Sequence, residues 1–357
     1  MEVNFDLLIS GCNTHCRHCY VNGGPGKNMD LELALLSLGR LDEIAALLPF
    51  PASFTLDNEP VNHPNLGDIL RAASSTKHIR YHHHGMTTGI ALMRRRDKAE
   101  VVQSYLDCGC GEFGITLHGS AAHHDEIVRR EGAFQTSIEA AEFLKAKGVE
   151  INVSLMLNRF FPEDAAELDR ILARLNPAFI WFAVPNYTPH ANMSDFEPYR
   201  STLQDLEALA LWLPKWGQDR DGLLQNAEQS TVAAAIRQLE KGLSLKALFA
   251  EKQDELYCTL HQDGLLYLGN TGVETICLGD IRTLHAAQVS EILARAPGNR
   301  DYGAFYDPRR LPGEDELLRT LKTLPRELLY ADLPSVLYRG LAELRTPTII
   351  MRKKDAI

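Results

Sequence analysis

The chain has 357 residues, 45% of them apolar and 24% charged; this is the balance of a soluble globular protein with a sizeable core, and it excludes both a single small module and a disordered chain. Its 37 Lys and Arg against 47 Asp and Glu give a formal charge of −10, a surface that repels phosphate backbones and anionic lipid, so no nucleic-acid partner is expected. No run approaches the ~20 apolar residues of a membrane span, and no basic leader precedes the first apolar segment, so no membrane is expected and the chain reads as cytoplasmic.

Taken in order, residues 1 to about 185 alternate short apolar runs with helical patterns, the rhythm of consecutive βα units around a parallel sheet. Six strands are predicted: Val3–Ile9, Ser53–Leu56, Ile79–His84, Phe113–Leu117, Val149–Leu157 and Ala178–Val184. Most are rich in β-branched or aromatic residues. Between them Leu38, Leu41, Ile44 and Leu48 share one helical face, as do Ile138, Ala141, Leu144 and Ala146, and Gly148 supplies a helix stop. Six units fall two short of a closed barrel, which predicts an α/β fold with an open, partial (βα)6 TIM-like barrel over residues 1–190 and room for a large substrate. Residues 191–357 form a second, C-terminal region: helical stretches near 201–216 and 229–248, a hairpin of Leu256–Thr259 and Gly264–Leu268 turning at Asp263-Gly264, and a helical extension broken at Pro308, Pro312, Pro325 and Pro334.

Seven cysteines are too few for a disulfide scaffold, and three crowd into the run Gly11-Cys12-Asn13-Thr14-His15-Cys16-Arg17-His18-Cys19-Tyr20 after the first strand. Given one cysteine, finding others at +4 and +7 by chance has a probability of roughly 4 in 10,000 at ~2% cysteine usage. Three soft thiolates on a short loop suit iron–sulfur or zinc. Three ligands leave one iron of a [4Fe–4S] cluster open to a small ligand; zinc would instead close a tetrahedral site with His15 or His18.

The CxxxCxxC spacing of Cys12, Cys16 and Cys19, placed after the first strand of a predicted partial barrel, resembles the radical S-adenosylmethionine (radical SAM) superfamily. The likeness continues downstream. Asp57-Asn58-Glu59-Pro60 stands where the family has a Gly-Gly-Glu turn holding the amino group of SAM, and keeps only the Glu; Thr87-Thr88-Gly89 resembles its Thr-Asn-Gly turn. Thr116-Leu117-His118-Gly119, His124-Asp125 and Gly132-Ala133-Phe134 resemble the Ser-Leu-Asp-Gly, His-Asp and Gly-Ser-Phe series of the branch with a SPASM or twitch extension. The resemblance implies cluster ligation by Cys12, Cys16 and Cys19. It implies SAM contacts from His18, Tyr20, Asp57, Asn58, Glu59, Thr88, Thr116, Arg129, Ser154 and Asn158, with His18 or Tyr20 near adenine where relatives carry an aromatic residue. A reduced cluster would pass one electron, from an external flavodoxin- or ferredoxin-type reductant, to SAM. The resulting 5′-deoxyadenosyl radical would take hydrogen from the substrate while the barrel supplies position and excludes water.

Other residues read more plainly. Cys108 and Cys110 are expected in the core. One of His82, His83 and His84, at a strand end, is a weaker candidate for SAM or substrate. His123-His124 reads as the surface start of a helix, and Trp181, Trp212 and Trp216 as core. In the hairpin, Asp263-Gly264-Leu265-Leu266-Tyr267-Leu268-Gly269 resembles an auxiliary-cluster hairpin but has Gly269 at a ligand position, and Cys258 with Cys277 cannot supply four thiolates. The hairpin is therefore expected to close the barrel and to face substrate through Asp263, Tyr267, Asn270 and Glu274. Without a second cluster to accept an electron, redox-neutral rearrangement, elimination or quenching is favoured. No winged leader-peptide reader precedes the first strand, so a small polar metabolite (sugar, nucleoside or amino acid) is the expected substrate. A peptide-modifying maturase is the second reading and a non-enzymatic iron–sulfur redox sensor the third.

Overall fold

A computed structural model describes residues 1–19, 23–82, 85–185, 196–242, 255–269, 276–295, 312–331, 333 and 349–350. The first strand, β1 (Glu2–Leu7), buries Val3, Phe5 and Leu7 and turns Asn4 and Asp6 to its other face. There they meet the next strand, β2 (Ala52–Leu56): Ser53 Oγ donates to Asn4 Oδ1 at 2.5 Å and Thr55 Oγ1 to Asp6 Oδ1 at 3.1 Å. The helix between them, α1 (Leu31–Ala46), starts at Asp30, whose carboxylate accepts the Glu32 N–H, and buries Leu38, Leu41 and Ile44. The chain then runs through α2 (Leu66–Ala73), β3 (Ile79–Tyr81), β4 (Gly85–Met86), α3 (Ile90–Arg94), α4 (Lys98–Asp107), β5 (Glu112–Leu117), α5 (Ala121–Val128), α6 (Ala133–Ala146), β6 (Glu150–Met156), α7 (Phe161–Leu175) and β7 (Phe179–Ala183).

Every neighbouring pair among these seven strands is parallel, which is the expected rhythm of a partial TIM-like barrel. The predicted third strand, 79–84, is strand over Ile79–Tyr81, and β4 follows just beyond its predicted end. β3 pairs with β2, and β4 begins a second sheet against β5. Gly85 permits the second pairing, because a Cβ there would lie 2.6 Å from the Phe113 ring. His83 and His84 lie outside the described residues; His82 contacts Ser53 Oγ through Nε2 at 2.9 Å.

The C-terminal region contributes α8 (Leu203–Ala208), opened by a capping box of Thr202 and Asp205, then α9 (Arg220–Gln229), α10 (Val232–Glu240), β8 (Glu255–Leu260), β9 (Leu265–Leu268), β10 (Ile276–Asp280), α11 (Ala286–Arg295), α12 (Glu314–Leu321) and β11 (Ile349–Ile350). The 201–216 stretch is α8 followed by a short 3-10 turn at Leu213–Trp216, not one helix, because Pro214 cannot supply the N–H that would continue it. The hairpin β8–β9 turns where predicted, with Leu265 N–H donating to Asp263 Oδ1. Its placement differs from closure across the opening: β8 runs parallel to β1, so the first sheet has the order β11-β10-β9-β8-β1-β2-β3. The second sheet, β4-β5-β6-β7, ends at β7. The hairpin thus thickens one lip of the opening, and among the described residues no strand lies beyond β7.

The main apolar core joins barrel residues such as Phe5, Phe54, Leu117 and Val153 to Leu213, Leu260 and Leu293 of the C-terminal region. Ser290 Oγ also ties α11 to α1 by donating to the Ile44 carbonyl at 3.0 Å. A smaller core is formed by Val232, Ile236, Leu317, Leu321 and Tyr330. The expected boundary near residue 190 falls in 186–195, outside the described residues. No described helix is long and apolar enough to cross a membrane.

Candidate active site

The three clustered cysteines occupy the loop that leaves the C-terminal end of β1, the end where side chains of a parallel barrel converge. This loop is pinned from three sides. Ser10 Oγ donates to the Glu59 carbonyl at 2.6 Å, Asn62 Nδ2 to the Gly11 carbonyl at 2.7 Å, and Cys12 N–H to the Gly24 carbonyl at 2.9 Å. A Cβ at Gly11 would collide with the backbone of Gly24 and Gly26, so the close approach requires glycine. Arg130 Nη1 holds the Asn13 carbonyl at 2.7 Å, and Arg17 N–H the Ile127 carbonyl at 2.9 Å, which fixes the loop to the end of α5.

Within the loop Thr14 Oγ1 lies 3.3 Å from Cys12 Sγ and 3.4 Å from Cys16 Sγ, while Gly23 N–H donates to Cys19 Sγ at 3.0 Å. Burial pushes the Cys16 thiol up to about 12 and, with the nearby Glu59 carboxylate, raises that of Cys12. A metal bound here would take these thiols as thiolates, so its binding releases their protons.

Beside the loop lies a cavity of about 360 Å3, lined on one side by Cys12, Cys16 and His18 and on the others by the ends of β4 to β7. Of the predicted SAM-contacting residues, His18, Asn58, Thr88, Thr116 and Ser154 line it. Asn58 has φ 66°, a left-handed conformation that asparagine tolerates and that suits a turn whose relatives carry glycine. Glu59 is fully buried behind this wall. Its Oε1 accepts the Thr87 hydroxyl and its Oε2 the Thr88 N–H, each at 2.6 Å, so the carboxylate joins the turns after β2 and β4. Burial raises its pKa, against the lowering effect of those bonds.

Asn158 is also buried and committed: Nδ2 donates to the His118 and Met156 carbonyls at 2.8 and 3.0 Å, and Oδ1 accepts the Phe160 N–H. Asp57 accepts the Asn58 N–H at 2.7 Å, and Arg129 is exposed at the C-terminal cap of α5. Tyr20 lies outside the described residues. The His-Asp and Gly-Ala-Phe runs meet physically, because the Asp125 carboxylate accepts the Gly132 and Phe134 N–H groups at 2.6 and 2.8 Å, setting the start of α6 where Ala133 lines the cavity.

Three readings from sequence are corrected here. His124 is not a surface residue: it is buried, lines the cavity and accepts the His118 N–H through Nδ1 at 3.3 Å. Its spacing from Ile127 and Val128 on α5 carried that signal. Trp181 is not core but a half-exposed wall of the cavity, stacked on exposed Phe179 in β7. Asp263 and Tyr267 stay within the hairpin, one shaping its turn and the other packed against His261, and Asn270 and Glu274 lie outside the described residues. Trp216, Cys108 and Cys110 are core, as expected; Trp212 is half-buried and packs against that core. His118 is the residue that sequence reasoning passed over. It is buried, its Nε2 is 2.6 Å from His18 Nε2, and its Nδ1 has no hydrogen-bond partner among the described residues.

All seven cysteines are among the described residues. Cys258 stands opposite Leu268, and Cys277 opposite its neighbour Tyr267, so the two thiols project to opposite faces of the sheet. They cannot share one cluster. The donor set, by contrast, fits a [4Fe–4S] group on Cys12, Cys16 and Cys19, with the adjoining cavity leaving room for a small ligand.

Residues 7–173, the barrel part of the chain, match the Radical SAM superfamily, whose members use a [4Fe–4S] cluster and SAM. A curated relative, the mycofactocin maturase MftC of Mycobacterium ulcerans (strain Agy99), is 23% identical over 219 residues, 59% of this chain and 54% of the relative. The chain thus spans about half the length of that protein. Among solved structures, anSMEcpe with bound AdoMet and Cp18Cys peptide aligns at TM-score 0.54 and 13% identity, covering 86% of this chain and 84% of that one. Streptococcus suis SuiB bound to precursor peptide SuiA aligns at 0.55 and 11%, covering 96% and 76%. At such identities these two show the shared fold.

Proposed function

We propose that the chain is a radical SAM enzyme that modifies a peptide, in preference to the small polar metabolite expected from sequence. The observation that carries the reading is the company the chain keeps: a maturase as curated relative and two solved structures with peptide bound. The shape of the mouth is in keeping with it. The cavity opens beside β7, whose residues are all half-exposed or exposed and carry no charge, and such an apolar lip suits an extended chain better than a sugar.

In this reading Cys12, Cys16 and Cys19 hold the cluster, and Asn58, Thr88, Thr116 and Ser154 border SAM. The bound pair supplies reductive cleavage of SAM to a hydrogen-abstracting 5′-deoxyadenosyl radical. The protein's part is placement. Glu59 keeps the turns after β2 and β4 in register, Asp125 fixes the wall at Ala133, and the buried imidazoles of His118 and His124 exclude water from the far side. An external one-electron reductant completes the reading.

The test is anaerobic incubation of reconstituted protein with SAM, dithionite and two panels, synthetic peptides and polar metabolites, following 5′-deoxyadenosine and substrate mass. Peptide-dependent 5′-deoxyadenosine with a mass change on a peptide supports the proposal. Product formation from the metabolite panel alone overturns it, and absence of SAM cleavage with either panel would favour the redox-sensor reading.

A further inference from the structure

His18 and His118 are 100 residues apart in sequence, yet their rings stack with centroids 4.8 Å apart and their Nε2 atoms 2.6 Å apart. Two neutral imidazoles meeting through Nε2 require one to donate and one to accept. If His18 donates, His118 carries its proton on Nδ1 as a buried N–H without an acceptor; if His118 donates, its Nδ1 lone pair is buried without a donor. Either tautomer strands a polar atom, an arrangement that is costly unless something binds there. The third member of the group is Cys16. One ligand atom from each of Cys16, His18 and His118 lies within 4.8 Å of the others.

We infer that the chain has a second metal state, in which Cys16, His18 and His118 hold one borderline divalent cation, of which zinc is the type, with its fourth position open to the cavity. Zinc takes imidazole nitrogen at about 2.0–2.1 Å and thiolate sulfur at about 2.3 Å, which places ligand atoms somewhat over 3 Å apart in a tetrahedron. The ligand atoms already lie within 4.8 Å of one another, and the two Nε2 atoms, 2.6 Å apart, would have to separate by about 1 Å to reach that spacing. A mixed nitrogen–sulfur set suits zinc over the harder oxygen-seeking cations. Cys16 belongs to both metal states, so they exclude one another. His118 belongs only to the second, since it directly follows β5, outside the CxxxCxxC loop. The consequence is a competition: zinc on this site keeps the loop from accepting its cluster until the zinc is withdrawn.

The inference is independent of the substrate reading and is tested on the full chain, stripped of metal under anaerobic conditions and titrated with Co2+ or Zn2+ alone. One equivalent of Co2+ is expected to give tetrahedral visible bands with a single-thiolate charge-transfer band, and X-ray absorption of the zinc form to show two imidazoles and one sulfur. His118→Ala is expected to weaken zinc binding on the order of tenfold or more, whereas Cys12→Ala and Cys19→Ala leave it in place. One equivalent of Zn2+ added before iron and sulfide is expected to suppress cluster uptake by the unaltered chain and to spare His118→Ala, whose uptake without zinc also reports that it folds. Zinc bound by three sulfurs, or zinc affinity lost with Cys12→Ala and kept with His118→Ala, overturns the inference. Should His118→Ala fail to take up the cluster, His118→Gln and the X-ray absorption of the unaltered chain decide it.

Discussion

Cys12, Cys16 and Cys19 are half-buried on a loop whose backbone is tied down by Gly11, Asn13 and Cys12 N–H, whereas Cys258 and Cys277 are buried in β8 and β10, on either side of β9, and face opposite ways. Both regions carry the same side chain. Spacing and fixed turns set Cys12 and Cys16 against one cavity, with Cys19 in the same loop, as ligands of a shared group would need, whereas the alternation of side chains along the strands sends Cys258 and Cys277 to opposite faces as small core residues.

The sharpest way to break this comparison is to exchange the fates of the two sets. Replacing Cys12, Cys16 and Cys19 together by Ala is expected to reduce iron uptake from about four per chain to essentially none after anaerobic reconstitution. Cys258→Ala with Cys277→Ala should leave iron unchanged and lower stability by roughly 1 kcal/mol per site, as core truncations do. Iron analysis with denaturant unfolding measures both. A [4Fe–4S] spectrum in the triple variant would mean that the buried cysteines are ligands after all.

A second contrast concerns pH. In the cavity wall His124 is buried, and burial pushes its pKa from 6.5 down to about 4. A histidine depressed in this way contributes stability that is present above 6.5, where both folded and unfolded states are neutral. That stability is lost as the pH falls toward 4, because the unfolded chain binds the proton first. The gap of about 2.5 units corresponds to about 3 kcal/mol at ~1.4 kcal/mol per unit. Unfolding free energies measured at pH 7 and 4 should therefore differ by about 3 kcal/mol less in His124→Gln than in the unaltered chain. Equal differences in the two proteins would place His124 in contact with solvent.

How far the sequence reveals these regions follows from the range of the interactions that make them. Five of the six strand positions were legible within a residue or two because alternating burial is local, as in Val3, Phe5 and Leu7. The cysteine loop was legible because its ligands are contiguous. The start of β4 was not, since it depends on Gly85 meeting Phe113 across the sheet. Nor was the His18–His118 contact, made across 100 residues. The burial of His124 was legible and was passed over: it shares a helical face with Ile127 and Val128. The direction of β8 beside β1 is a choice between two sheet edges that strand patterns do not record.

A smaller effect separates the mouth from the hairpin through their turns. Asp125 accepts two backbone N–H groups at the start of α6, and Asp263 accepts one, from Leu265, in the hairpin. Asp125→Ala is expected to cost about 1–2 kcal/mol and Asp263→Ala about half as much. Only the first should also weaken SAM binding, since Ala133 lines the cavity. Calorimetric titration with SAM on both variants measures this, and equal losses of affinity would remove the distinction.

The smallest expected effect lies at Asn58, the mouth's left-handed residue at φ 66°. Glycine adopts this conformation freely but loses more chain entropy on folding, so Asn58→Gly should change stability by no more than about 0.5 kcal/mol. Alanine keeps a Cβ without the local hydrogen bonding that eases asparagine into the left-handed region, and Asn58→Ala should cost about 1 kcal/mol. The pair also separates two ways in which this turn would meet SAM. If the contact is made by backbone, as in the Gly-Gly-Glu turn that it resembles, Asn58→Gly retains SAM affinity. A clear loss of affinity in that variant, with stability unchanged, would assign the contact to the Asn58 side chain on the cavity wall.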